Sequence, residues 1–309
     1  MRVVVTGGAG FLGSFVVERL RARGEDVFVP RSADTDLRQP EACHRLIQQQ
    51  RPDLVVHCAV NGGGIGYMGT HPGSVLFDNV TMSTHLMEAC RLGGVDKFVG
   101  VSSVCAYPRI VPMPMTESDL FEGYPEPNNA GYGLAKRMMM EQGRAYAKQY
   151  GFNAVFPMPT NLYGPRDIFD PARSHVVPAL IRKCIEARDR GDDHIIAWGT
   201  GTATRELLYV EDCADAIVAM AERYDSWEPV NIGNGQEFTI RELVETVASV
   251  CGFTGEVRWD TDKPDGQPRK CLDVSRAAER FGWRAQIDLE QGLRRTVDWF
   301  VASGLQGSR

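Results

Sequence analysis

Apolar residues follow two rhythms along this chain. RVVVT (2–6), DVFV (26–29), DLVVHCA (53–59), KFVGVSS (97–103) and NAVFPM (153–158) are short and apolar on consecutive residues. That is the pattern of parallel strands covered on both faces. Between them, stretches near 11–23, 39–50, 73–94 and 131–150 read as helices. Strand, helix, strand, repeated, predicts an α/β fold built on a Rossmann-type doubly wound parallel sheet. After residue 160 the pattern loosens, and MPTNLYGPRDIFDPARSH (158–175), rich in proline, glycine and aspartate, predicts a long loop. Helices near 176–190, 211–224, 239–252 and 288–303 follow, with short strands near 194–198, 206–210, 229–233 and 256–260. The expected organisation is a first domain over 1–160 and a smaller, interrupted α/β domain over 161–309. Segments near 205–235 should return to the first domain.

Composition narrows the partners. Lysine plus arginine is 34 against 40 for aspartate plus glutamate, a net charge of −6, which argues against a nucleic-acid-binding surface. No apolar run approaches the ~20 residues that cross a bilayer. MRVVVTGGAG lacks the charged-then-apolar pattern of a secretory leader. The eight cysteines are scattered without a CxxC pair, so neither a metal site nor a disulfide framework is expected. Reduced thiols in the cytoplasm are the expected state.

TGGAGFLG (6–13) follows the first strand and opens the first helix. Gly7, Gly10 and Gly13, with Phe11 and Leu12 between them, form a loop that lets a pyrophosphate approach the helix N-terminus. The first domain is therefore expected to bind a dinucleotide. An acidic residue at the end of the second strand would favour NAD. The chain instead reads VFVPRSADTDL, with Arg31 just past the strand. A guanidinium there suits a 2′-phosphate, so NADP(H) is favoured over NAD(H). Asp34 and Asp36 come later, and Arg31 also fits a plain solvated loop cation.

Tyr132 and Lys136, four apart in NNAGYGLAKRMMM, share one helix face. A nearby ammonium favours a phenolate, so Tyr132 is expected to have a lowered pKa and to act in acid–base chemistry. Ser103, at the end of the fourth strand, is placed to hydrogen-bond a substrate oxygen beside it. TGGAGFLG, the serine of SSVCAY and YGLAK together resemble the extended short-chain dehydrogenase/reductase family. The resemblance implies that Tyr132 exchanges a proton with a sugar hydroxyl or ketone. It also implies that Lys136 contacts the nicotinamide ribose and that the second domain holds a nucleotide-diphosphate sugar.

Further stretches are more particular: GGIGYMGTHPGSVLFDN (63–79), VCAYP (104–108), MPTNLYGPRDIF (158–169), SHVVPALI (174–181), WGTGTATRELLYVEDCA (198–214) and KPDGQPRKCLD (263–273). They resemble the GDP-L-fucose synthase family, NADPH-dependent epimerase/reductases of a 4-keto-6-deoxy GDP-sugar. The resemblance implies that Cys105 and His175 act in epimerisation and places His175 near the cofactor as well. The residue types suit the chemistry. A C4 ketone acidifies the hydrogens at C3 and C5, and thiol and imidazole groups titrate near neutral pH. Cys105 also fits a small buried apolar residue, and His175 a helix-start residue. By the same resemblance Asn161 meets the sugar or its phosphates, Val176 meets the nucleotide through its backbone, and Arg205 pairs with the diphosphate. Lys183, Trp198 and Lys270 lie around the nucleotide. Arg205 also fits an ion pair with Glu206 or Asp212, and Trp198 a core position. CAVNGGGI departs from the family at Asn61, where a lysine is usual, and at Gly62. The sugar and base therefore stay open, and a redox-neutral NAD(P)-dependent nucleotide-sugar epimerase is the alternative. A homodimer through the 73–94 and 131–150 helices is expected.

Overall fold

The computed structural model describes residues 1–170, 174–263 and 265–305. The first half alternates as its sequence predicts. The elements are β1 (Arg2–Thr6), α1 (Phe11–Ala22), β2 (Asp26–Phe28), α2 (Pro40–Gln50), β3 (Leu54–His57), α3 (Ile65–Thr70), α4 (Pro72–Leu92), β4 (Lys97–Gly100), α5 (Ala130–Tyr150), β5 (Ala154–Val155) and β6 (Pro157–Pro159). Strands β2-β1-β3-β4-β5 form one sheet in that order, parallel throughout. Its central strands are buried on both sides because successive side chains meet different helices. Val3 and Val5 pack with Phe15, Val16 and Leu20 of α1. Val4, between them, packs with Leu46 of α2, Met87 of α4 and Met139 of α5.

The second half contains β7 (Asn161–Tyr163), α6 (Val176–Arg190), β8 (His194–Trp198), β9 (Thr204–Tyr209), α7 (Val210–Arg223), β10 (Val230–Ile232), β11 (Glu237–Thr239), α8 (Ile240–Val250), β12 (Glu256–Asp260), α9 (Ser275–Phe281) and α10 (Leu289–Ala302). Part of it rejoins the first half. β10 pairs with β6 in parallel, and α7 packs beside α1. The rest has its own core, in which Val177, Ile181 and Ile185 of α6 meet Leu243 and Val247 of α8 and Leu293 and Phe300 of α10. Phe169 stacks on Phe300 at 4.4 Å and anchors the segment before α6 there.

Two expectations about elements need correction. The strand expected over 153–158 breaks into β5 and β6, with the fully buried Phe156 between them. The long loop expected over 158–175 contains β7, which pairs in parallel with β9. Proline and glycine masked a three-residue strand whose partner lies more than forty residues away. Residues 171–173 of that stretch, and Pro264 in the 263–273 segment, lie outside the described residues.

Candidate functional site

The glycine loop is built for close approach. The chain leaves β1 at Gly7 with φ +69°, and a Cβ there would sit 2.6 Å from the Ala59 backbone nitrogen. A Cβ on Gly13 would sit 2.2 Å from the Gly7 carbonyl oxygen. Gly10 donates its N–H to that oxygen at 2.9 Å. Gly10 caps α1 without a side chain, and the first turn carries no acidic residue. The opening N–H groups of α1 are therefore left for an anion. This cradle fits the pyrophosphate of a dinucleotide, while half-buried Phe11 and Leu12 pack on the core beneath it.

The loop after β2 presents Arg31 as an exposed side chain, with its carbonyl accepting the Asp34 and Thr35 N–H groups. Asp36 is held by both arms of the Arg38 guanidinium at 2.9 Å. Arg38 also reaches Asp78 at 3.4 Å. Asp78 accepts from the Asn61 amide at 2.8 Å, and Tyr67 donates to the other end of that amide at 2.9 Å. The departure at Asn61 is thus a cross-link between the loop after β3 and the helices α3 and α4.

Ser103, Cys105, Tyr132 and Lys136 come together at the C-terminal end of β4. Ser103 caps a single 3-10 turn, Val104–Ala106, by accepting the Cys105 N–H at 3.2 Å. Helix α5 lies directly on this turn because Gly133 has no side chain. A Cβ there would stand 2.4 Å from the Cys105 carbonyl oxygen. Lys136, on the same helix face, is buried and donates to the Val101 carbonyl at 2.7 Å. Its nitrogen lies 5.6 Å from the centre of the Tyr132 ring.

The electrostatics correct one expectation. Tyr132 is part-exposed as a residue, but its phenol end is enveloped by protein, and burial raises its pKa. A negative charge on Cys105 would raise it further, while the hydrogen bond with Ser103 lowers it. Desolvation of the phenolate outweighs the neighbouring ammonium. That ammonium is itself weakened, since burial pulls Lys136 down to about 8. His57 adds no charge: burial, then Lys136, lower it to about 3. It sits between the Thr6 hydroxyl at 2.8 Å and the Ser83 hydroxyl at 3.3 Å.

His175 stands on another element, at the cap of α6. Its charged neighbour is Asp167, with Nδ1 3.6 Å from Oδ1. Asp167 raises the pKa of His175, against the opposing effect of burial. Val176, the first residue of α6, is exposed. Asn161 lies in β7 with its amide toward the Glu206 carbonyl at 3.4 Å.

The remaining candidates gather at the ends of β8 and β9. Lys183 donates to the Ile196 carbonyl at 2.6 Å. Trp198 is 65% exposed, so it is no core residue, and the Lys263 ammonium lies 5.7 Å from its ring centre. Arg205 does not pair with Glu206 or Asp212. It donates to the carbonyls of Thr204 at 2.7 Å and Gln267 at 2.6 Å, and burial lowers its pKa. Glu206, the next residue along the strand, points the other way. It accepts the N–H groups of Gly235 and Leu272 at 2.9 and 2.8 Å. Half-buried Lys270 lies in the same segment, its carbonyl accepting the Glu206 N–H. The Gln267 amide reaches the Arg109 carbonyl at 3.4 Å, which ties this cluster to the segment that follows Cys105.

The family model described as "NAD dependent epimerase/dehydratase family" matches residues 3–233. The chain belongs to that family. Among curated members, GDP-L-fucose synthase 1 of Arabidopsis thaliana is 40% identical over 97% of this chain and 93% of its own length. GDP-L-fucose synthase of Sinorhizobium fredii is 40% identical over 98% and 96%. A GDP-L-fucose synthetase from Naegleria fowleri bound to NADP shares 31% identity and a TM-score of 0.86, over 97% of this chain and 94% of that one. This protein is thus an NAD(P)-dependent enzyme of the nucleotide-sugar epimerase/reductase type within the epimerase/dehydratase family. Gly133, Asp167 and Arg38 are among the members of its site region that the sequence pattern did not single out. Gly133 was legible as the small residue inside YxxxK, whereas the other two need tertiary contacts to be seen.

Proposed function

We propose that this protein carries out the GDP-L-fucose synthase reaction: 3,5-epimerisation and 4-reduction of a GDP-linked 4-keto-6-deoxy sugar, with NADPH favoured over NADH. What carries the reading is the place of Cys105, on the 3-10 turn capped by Ser103, against which the helix bearing Tyr132 and Lys136 packs through Gly133. Proton exchange with a sugar oxygen calls only for tyrosine, lysine and serine; a thiol at that wall adds a group able to take a proton from carbon. Near-complete alignment with GDP-L-fucose synthases supports the same conclusion.

In this reading residues 1–160, with the returning 205–235 segment, hold the cofactor, and 161–309 mainly hold the nucleotide sugar. The nicotinamide cofactor, when bound, supplies hydride to C4. Gly7, Gly10, Phe11, Leu12 and Gly13 seat its pyrophosphate, and Arg31 meets a 2′-phosphate. Cys105 and His175 remove and return protons at C3 and C5. Ser103 and Tyr132 hydrogen-bond the C4 oxygen and stabilise the negative charge that grows there. Tyr132 then gives that oxygen its proton. Its raised pKa suits a group that stays protonated until this step. Lys136 steadies the phenolate left behind and contacts the nicotinamide ribose. Arg205, Lys183, Lys270, Trp198, Asn161 and the backbone of Val176 receive the nucleotide diphosphate. Homodimerisation through α4 and α5 is supported by Leu76, Phe77 and Met138, apolar and 39%, 62% and 49% exposed on those helices. A cytoplasmic location fits the eight free thiols.

The test is turnover of GDP-4-keto-6-deoxy-D-mannose in deuterium oxide, read by NADPH absorbance, NMR and mass spectrometry. The expected result is one NADPH oxidised per sugar, deuterium at C3 and C5, and loss of wash-in at one or both carbons in Cys105→Ser. Interconversion of sugars without net NADPH oxidation would instead establish the redox-neutral epimerase. Unchanged wash-in at both carbons in Cys105→Ser would reduce the thiol to packing.

A further inference from the structure

We propose that Asp167 is the positioning residue of His175: its carboxylate holds the imidazole by Nδ1–H, leaving Nε2 to move protons. The inference rests on the reading above for what Nε2 acts upon, but the pairing itself stands on geometry.

The Asp167 side chain is 1% exposed and that of His175 50%. Burying a carboxylate is expensive unless it is paired and hydrogen-bonded. Asp167 is only half provided for. Oδ1 accepts the Ile168 N–H at 2.7 Å, while Oδ2 is buried without a hydrogen-bond partner among the described residues. The His175 Nδ1 stands 3.6 Å from Oδ1, an ion-pair distance just beyond a hydrogen bond. A small rotation of the half-exposed ring closes it, and acid–base contacts of this kind commonly tighten when substrate is bound.

The turn that carries Asp167 is anchored as a site element would be. Arg166, the residue before it, has φ +69°, a left-handed conformation uncommon for a long side chain. Such backbone persists where the surroundings enforce it. Here the guanidinium of Arg166 pairs with Glu18 at 2.6 Å, reaches the Ser14 hydroxyl at 3.2 Å and lies 4.5 Å over the Phe15 ring. All three are on α1, the helix that opens at the glycine loop. The strained turn therefore fixes Asp167 relative to the cofactor cradle.

Among the described residues, few charges act on His175. Its own position at the N-terminus of α6 opposes a proton on the ring, as does burial. Of the neighbouring cations, Arg166 is directed to Glu18, and Arg182 of α6 donates to Glu186 at 2.7 Å and to the Phe169 carbonyl at 3.2 Å. Asp167 is the group that favours the protonated ring.

The experiment uses Asp167→Asn in the full-length protein, first without substrate. Histidine ring signals are titrated by NMR, with His175 assigned by its loss in His175→Asn. The expected result is a wild-type His175 that titrates above the ordinary histidine range and falls in Asp167→Asn. An unchanged titration overturns the proposal whatever the enzyme's substrate, as does a wild-type His175 that titrates at or below the ordinary range. The second value needs no variant to fold. Deuterium wash-in is then measured against pH. In Asp167→Asn the His175-dependent limb should move to lower pH, with wash-in reduced about tenfold, a part of the 10²–10⁴-fold that a positioned acid–base group contributes. Added to His175→Asn, Asp167→Asn should cost nothing further, whereas an independent second loss would mark Asp167 as structural only.

Discussion

Lys136 should make this protein more stable as the solution turns alkaline, and Lys136→Met should remove that gain. The side chain is 4% exposed, and burial lowers its pKa from the ordinary 10.5 to about 8. Below pH 8 both folded and unfolded chains carry the proton, so the group adds no slope. Between pH 8 and 10.5 the unfolded chain holds a proton that the native protein has released, and stability rises with pH through that window. At about 1.4 kcal/mol per pH unit the full gain is about 3 kcal/mol, and the part reached by pH 9.5 about 2 kcal/mol. Methionine keeps the length and apolar stem but cannot titrate. It also loses the hydrogen bond to the Val101 carbonyl, at a cost of about 1–3 kcal/mol that a neutral lysine, still a donor, would not incur. That loss offsets the two proteins at every pH without changing the slope between them. The assay is urea unfolding of wild type and Lys136→Met at pH 7.5, 8.5 and 9.5, extrapolated linearly. The stability difference should shift toward wild type by about 2 kcal/mol from pH 7.5 to 9.5. Parallel curves would refute the argument that burial has depressed this lysine.

Two further outcomes follow from exposed residues. Arg31→Ala should narrow the preference for NADPH over NADH about tenfold, the scale of one charge-assisted hydrogen bond; equal titration curves by nicotinamide fluorescence in the wild type would remove Arg31 from the cofactor site. Light scattering should give a mass of twice 34.2 kDa at micromolar concentration, and Phe77→Asp should lower it by placing a charge in the apolar face of α4. A wild-type mass of one chain would contradict the dimer.

What the sequence made legible, and what it hid, divides along the range of the interactions. β1 and β3 announce themselves because a strand between two helix layers must be apolar on consecutive residues. The glycine loop is legible because much of its constraint is local: a Cβ on Gly10 or Gly13 would crowd the Gly7 carbonyl oxygen in a turn a few residues long. Tyr132 and Lys136 are legible because helical spacing alone puts them on one face. The sign of the Tyr132 shift was not, because charge can be read from residue types but desolvation is set by everything that closes over the phenol. β7 was hidden for a similar reason, since its stabilising partner is β9 and its own composition favours a turn. Arg205 and Glu206 show the limit most sharply. Read as neighbours in sequence, they suggest an ion pair. In a strand they face opposite sides, so one side chain goes to the 265–267 carbonyls and the other to the Gly235 and Leu272 N–H groups. A single β-strand thereby fastens the 265–272 segment from both faces, and on the Glu206 face the turn at Gly235 as well. The loop on the Arg205 side reaches through Gln267 to Arg109, four residues past Cys105. The proposed nucleotide-binding end and the segment after Cys105 are joined by side chains that donate to backbone carbonyls, and an acceptor without residue identity leaves no mark in the pattern of residue types.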